Sequence, residues 1–219
     1  MSERLSESGL RYPSERPRAS IRAWLPLLFF VSGFSALLYQ LIWQRALFAI
    51  FGVNIESVTI VVTGFLLGLG LGSLIGGILS EGSGQRSLAV FGLLELSIGG
   101  FGWKSLIVFE LVGVATIDMP PLARAAACFG VVLVPTLLMG ATLPVLVAYS
   151  VRESGNVGKS VGSLYSVNTA GSAVAAFAAV FFLMGRLGQS GSLDLAALLN
   201  VTVGLVTLLA WVRTSRTGP

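Results

Sequence analysis

The sequence predicts an all-α, polytopic membrane helix bundle of about six transmembrane helices with both termini cytoplasmic. Three observations carry that prediction. Of 219 residues, 54% are hydrophobic and 11% charged, and the mean hydropathy is +0.87. Soluble domains carry roughly 25% charged residues, so this chain has too little polar side chain to coat a water-facing globule, and a soluble enzyme is excluded. Second, apolar stretches near the ~20 residues needed to span a bilayer recur between charged or Gly/Pro breaks. Third, the basic residues cluster in the segments that alternate crossings would place on one side. The single cysteine, Cys128, excludes an internal disulfide, and the lack of histidine removes the usual zinc, haem and Ser-His-Asp sites. No metal, cofactor or nucleic acid is expected. The predicted partners are lipid, other helices or a membrane solute.

The elements follow in order. Residues 1–22 are polar, with five arginines among serines and prolines, and read as a flexible basic cytoplasmic tail. The apolar run after them is too long for a signal-peptide core. Within a bundle over 23–212, the predicted spans are 24–43, 57–79, 88–105, 125–148, 161–184 and 193–211, followed by a second tail at 213–219. The third is the weakest, since Gly99, Gly100 and Gly102 interrupt it and Lys104 lies at its end. Its sequel, 106–117, is apolar but carries Glu110 and is too short to span, so an interfacial or re-entrant helix is expected there, stopped by Pro120 and Pro121. With the N-terminus inside, ten Lys and Arg fall on the cytoplasmic side and four, Arg45, Lys104, Arg124 and Arg186, outside. That asymmetry places both termini in the cytoplasm and the chain in the cell membrane.

Several residues do more than fill hydrocarbon. Gly64, Gly68, Gly72 and Gly76 form one stripe on the second helix, suited to close helix packing, with a solute path or a partner chain as the alternatives. Pro135, Gly140 and Pro144 bracket a predicted hinge or cavity wall in the fourth span, because each proline leaves a carbonyl without its N–H partner. Tyr39, Trp43 and Arg45 read as an aromatic belt and snorkelling anchor at the outer end of the first span. Glu95 stands among apolar neighbours roughly 10 to 12 Å into the membrane, where a carboxylate has to face the bundle and be hydrogen-bonded or protonated. Counting about eight residues from the cytoplasmic face of the other spans gives Ser32 and Ser35, Ser73, Thr142, and Asn168 with Thr169. Together they predict a polar pocket open to the cytoplasm, with Glu95 and Asn168 its strongest members.

The stretch Ser32-Gly33-Phe34-Ser35-Ala36-Leu37-Leu38-Tyr39-Gln40 with Trp43 and Arg45, the Gly-rich second helix, and Leu94-Glu95-Leu96 with Gly99 share one pattern. It continues in Pro135-Thr136-Leu137-Leu138-Met139-Gly140-Ala141-Thr142-Leu143-Pro144, then in Gly162-Ser163-Leu164-Tyr165 and Asn168-Thr169-Ala170-Gly171. From about Val31 to Gly188 this resembles the membrane domain of integral-membrane spermidine synthase-like proteins, some described as fused to a major-facilitator-like region. Gly171 is also expected to be a close-packing glycine. The resemblance implies a polyamine-related role, with an aminopropyltransferase-like domain following the membrane part in such proteins. No aminopropyltransferase motif occurs in these 219 residues, so no catalytic residue is carried over. The loop Glu81-Gly82-Ser83-Gly84-Gln85-Arg86 departs from the family's shorter acidic-basic turn. Three readings remain at this point. The chain handles a small, cationic, polyamine-like solute or scaffolds a synthase-like partner; it forms the membrane half of a split aminopropyltransferase; or it is a structural subunit of a larger complex. Six helices are half of a twelve-helix transporter, which makes a homodimer a candidate assembly.

Overall fold

The computed structural model describes residues 19–52, 54–82 and 84–216, and among these all regular structure is helical. The predicted basic tail lies almost wholly outside the described residues. The helices are α1 (Ala19–Phe51), α2 (Asn54–Leu79), α3 (Gly84–Ala115), α4 (Pro121–Ser154), α5 (Val157–Ala178) and α6 (Met184–Arg216), with one π-helical stretch, Ala179–Leu183, joining α5 to α6. Five continuous helical stretches are long and apolar enough to cross a membrane, the last of them 59 residues, Val157–Ser215.

Short reversals separate these helices, and each has a local cause. Gly52, Gly82, Gly155 and Gly188 take φ of 69°, 114°, 68° and 67°, a region that a Cβ disfavours. At Gly155 this closes α4, its N–H donating to the Val151 carbonyl at 2.7 Å. The turn from α3 to α4 uses Pro120 and Pro121 instead, with Pro121 starting the helix where no N–H is needed. Arg124 caps that turn: Nε donates to the Thr116 carbonyl at 3.1 Å and Nη2 to that of Ile117.

Gly188 divides the 59-residue stretch, since its ψ of −170° is not helical. The flanking contacts fix the change of direction. Residues 29 and 33 of α1 meet Asn168 and Ser172, so α1 and α5 are parallel. Ser32 meets Glu95 and Trp43 meets Ser105, so α1 and α3 are parallel as well. On α6, Asn200 lies at Glu95 and Ser215 at Gln85, so α6 runs antiparallel to α3 and hence to α5.

Glycine sets the closest helix approaches. Along the parallel pair α2 and α4, Gly64 faces Val132, Gly68 faces Thr136, Gly72 faces Leu137 and Gly140, and Gly76 faces Ala141 and Pro144. A Cβ at Gly72 would run into the Leu137 carbonyl, and one at Gly140 would sit 2.5 Å from the Leu69 carbonyl oxygen. The stripe is therefore occupied within the chain by α4. Gly171 packs likewise on the backbone of Phe30 and Phe34 in α1.

Three expectations need correction. First, α3 runs unbroken from Gly84 to Ala115, so 106–115 continues it rather than forming a helix of its own. Gly99 meets Val201 and the Ala197 carbonyl of α6, and Gly102 meets Tyr39, so these glycines admit neighbours rather than break the helix. Meanwhile α4 stays helical across Pro135 and Pro144, and Gly140 between them lies against the Leu69 carbonyl of α2. The Thr136 hydroxyl stands 3.0 Å from the Val132 carbonyl and 3.2 Å from that of Gly64, tying the proline-containing turn to α2. Second, Tyr39 and Trp43 are not headgroup anchors, for both are 0% exposed. Because α1 continues past Trp43 to Phe51, position 43 lies inside the helix rather than at its end. Trp43 packs against Tyr39, Phe65, Phe101 and Phe109 and donates from Nε1 to Ser105 Oγ at 2.9 Å. Arg45 alone of the three is exposed. Third, residues 213–216 continue α6 instead of starting a separate tail.

The outer surface suits hydrocarbon. Leu66, Leu74 and Ile78 of α2 and Phe181 beyond α5 are each more than three-fifths exposed, an arrangement that water would penalise.

Replacing Gly72 by Ala should destabilise the bundle by about 1 to 3 kcal/mol, because backbone lies where the methyl would go. Gly70 has open space at its Cβ position, and Gly70→Ala should change stability by no more than about 1 kcal/mol. Unfolding of the two variants in detergent checks the contrast.

Candidate functional site: a polar cavity beside Glu95

Glu95 lies in mid-α3 and is 0% exposed. Hydrocarbon offers a carboxyl group no hydrogen bonds, so its partners have to come from neighbouring helices. Ser32 Oγ of α1 donates to Oε1 at 2.6 Å, and Asn200 Nδ2 of α6 donates to Oε2 at 2.5 Å. The three side chains thus join three helices at one depth.

In front of Ser32 and Asn200 opens a cavity of about 270 Å³, walled by residues of α1, α2, α3, α4, α5 and α6. Ligand sites commonly occupy roughly 300 to 1,000 Å³, so this one suits a small solute. Its walls mix apolar side chains, among them Phe29, Phe65, Ile98 and Met139, with hydroxyl and amide groups. No Lys or Arg stands among the lining residues.

The structure brings together four of the seven side chains predicted for the pocket, since Ser32, Ser73, Thr142 and Asn168 all line it. Glu95 stands one hydrogen bond behind the wall rather than in it. Ser35 is buried and turned back, its hydroxyl donating to the Val31 carbonyl at 3.1 Å, while Thr169 is exposed and no part of the lining. Gly140 also lines the cavity, and Pro144 supplies no N–H to its carbonyl.

Sequence reasoning missed Gln40, Tyr165, Ser172 and, above all, Asn200. The signal for Asn200 was present: a lone amide in the apolar run Leu198-Leu199-Asn200-Val201, open to the same reasoning as Glu95. Asn200 is 1% exposed and its Oδ1 has no hydrogen-bond partner among the described residues.

The chain is similar to part of a polyamine aminopropyltransferase. That protein, from Corynebacterium efficiens, is 27% identical over 203 residues, which make up 90% of this chain and 37% of the relative. The chain therefore spans little more than a third of the curated relative it matches. No family model matches the sequence, and no solved structure matches it.

Removing the carboxyl group should cost more than altering it. Glu95→Ala leaves the Ser32 and Asn200 donors without an acceptor and should destabilise the bundle by about 2 to 5 kcal/mol. Glu95→Gln, which keeps an oxygen and the side-chain shape, should cost less than half as much, as measured by unfolding in detergent.

Proposed function

We propose that this chain is the membrane-embedded part of a polyamine aminopropyltransferase-like system, and that its cavity holds a small cationic, polyamine-like solute. The observation that carries the reading is the cavity itself: a space of about 270 Å³ at membrane depth, free of basic side chains and backed by Glu95. Polar walls at that depth are costly unless they serve a solute or a neighbouring helix. Aromatic faces at Phe29 and Phe65 add a surface that favours cations and methylene chains alike. The similarity to an enzyme named for polyamine chemistry, over 90% of this chain, points the same way.

In this reading the chain crosses the cell membrane six times, the Val157–Ser215 stretch crossing twice by way of Gly188, and both termini face the cytoplasm. Arg152 fits that side. Its Nη2 donates to the Ser80 carbonyl at 3.0 Å, closing the end of the bundle where the basic residues gather.

A second reading is favoured by coverage: because the chain matches only 37% of its relative, it can serve as the membrane portion that carries or scaffolds a synthase-like catalytic part. The remaining reading, a subunit assembled through its glycine stripe, loses its main support because α4 covers that stripe.

The full chain in proteoliposomes should bind spermidine saturably. Ser73→Trp, at an exposed lining position, should fill the space and weaken binding by at least about tenfold. Saturable binding that Ser73→Trp leaves unchanged would place the ligand elsewhere and remove the cavity from the account. A topology reporter fused after Pro219 should report the cytoplasmic side, and a signal from the opposite side would require an odd number of crossings.

A further inference from the structure

The polar side chains of the cavity wall fall into two sets. Ser32 and Asn200 donate to Glu95, Thr142 Oγ1 to the Met139 carbonyl at 2.7 Å, Asn168 Nδ2 to that of Phe29 at 3.2 Å and Ser172 Oγ to that of Gly33 at 3.0 Å. These five are engaged with the protein. Gln40, Ser73 and Tyr165 line the same space and make no hydrogen bond to any described residue. Gln40 is half-buried on α1, while Ser73 of α2 and Tyr165 of α5 are exposed where the cavity opens. Each of the three carries both hydrogens and lone pairs, so each can donate or accept as a ligand requires.

The three free groups stand at different depths. Asn168 meets Phe29 and Ser172 meets Gly33 on the parallel helices α1 and α5, so Tyr165 lies near the level of Pro26 of α1. α2 returns alongside α1 after the reversal at Gly52, and Phe65 packs on Trp43, which brings Ser73 near the level of Ser35. At 1.5 Å per residue, Gln40 is therefore about 20 Å from Tyr165 along the helix axes, with Ser73 about midway. A space of about 270 Å³ that reaches all three is long and narrow. Phe29 and Leu37 line it between those levels, so apolar wall separates one free polar group from the next.

From this geometry we infer that the cavity takes an extended linear solute, a chain of methylenes carrying three or more hydrogen-bonding nitrogens, and that Gln40, Ser73 and Tyr165 are the residues that hold it. The inference rests on the reading of the cavity as a polyamine-like solute site, and adds the length of the solute and the residues that measure it. A short diamine reaches two adjacent levels. A longer polyamine reaches all three and lays its methylenes against Phe29 and Leu37.

The experiment is calorimetric titration of the full chain in detergent with diaminobutane, spermidine and spermine. Wild-type affinity should rise along that series, by at least about tenfold from diaminobutane to spermine. Gln40→Leu and Tyr165→Phe each remove the hydrogen-bonding group at one end without changing charge, and each should cut that advantage to less than about threefold. Ser73→Ala should weaken diaminobutane and spermine alike, because every pair of adjacent levels includes Ser73. Equal affinity of wild type for all three amines would overturn the length assignment while leaving the cavity a solute site. An advantage retained in Gln40→Leu or Tyr165→Phe would come from the ligand's charge alone and overturn that residue's role, as would undiminished binding in Ser73→Ala for Ser73. Binding of none of the amines by wild type would remove the solute reading and this inference together. The wild-type series needs no variant, and Tyr165→Phe alters only an exposed hydroxyl, so the test stands even if another substituted chain fails to fold.

Discussion

A carboxyl group inside a membrane bundle has to take its hydrogen bonds from other helices, because hydrocarbon supplies none. Glu95 of α3 takes one from Ser32 of α1 and one from Asn200 of α6. That requirement fixes three helices at a common depth and in a common rotation. It also explains why the chain must reverse at Gly188: Asn200 can reach Glu95 only if α6 returns alongside α3. The remaining helices are placed by a different force. Without a hydrophobic drive inside a bilayer, α2 and α4 associate through close backbone approach along the glycine stripe, and α5 meets α1 at Gly171.

The two kinds of contact divide the labour. Glycine contacts bring backbones together and leave little room, so the α2 and α4 pair forms a rigid wall. The polar contacts tie Glu95 to Ser32 and Asn200, and the cavity opens beside those two residues.

Much of the site could be read from the sequence because depth in a membrane helix is a linear function of residue number. Counting from the cytoplasmic end found Ser32, Ser73, Glu95, Thr142 and Asn168, all of which meet at or just behind the cavity wall. Depth does not give rotation about the helix axis, and there the reading failed: Ser35 and Thr169 share the right level but face elsewhere. Asn200 was missed because the count stopped before the last helix, although an amide among leucines carries the same signal as a carboxylate. Tyr39 and Trp43 were misread for a related reason. An aromatic pair with an arginine two residues on marks a membrane boundary only where the helix ends, and α1 continues to Phe51. The glycines of α3 were taken as breaks by their propensity in water, yet in a bundle they are the positions that α6 and Tyr39 occupy.

The account turns on Glu95 and Asn200 acting as a unit. A double-mutant cycle on the unfolding free energy, with Glu95→Ala, Asn200→Ala and the double variant, measures that most directly. The predicted coupling is at least about 1.5 kcal/mol, since each single change leaves the other group buried without its partner. Additive effects, within about 0.5 kcal/mol, would mean that the two side chains do not depend on each other and would contradict the account.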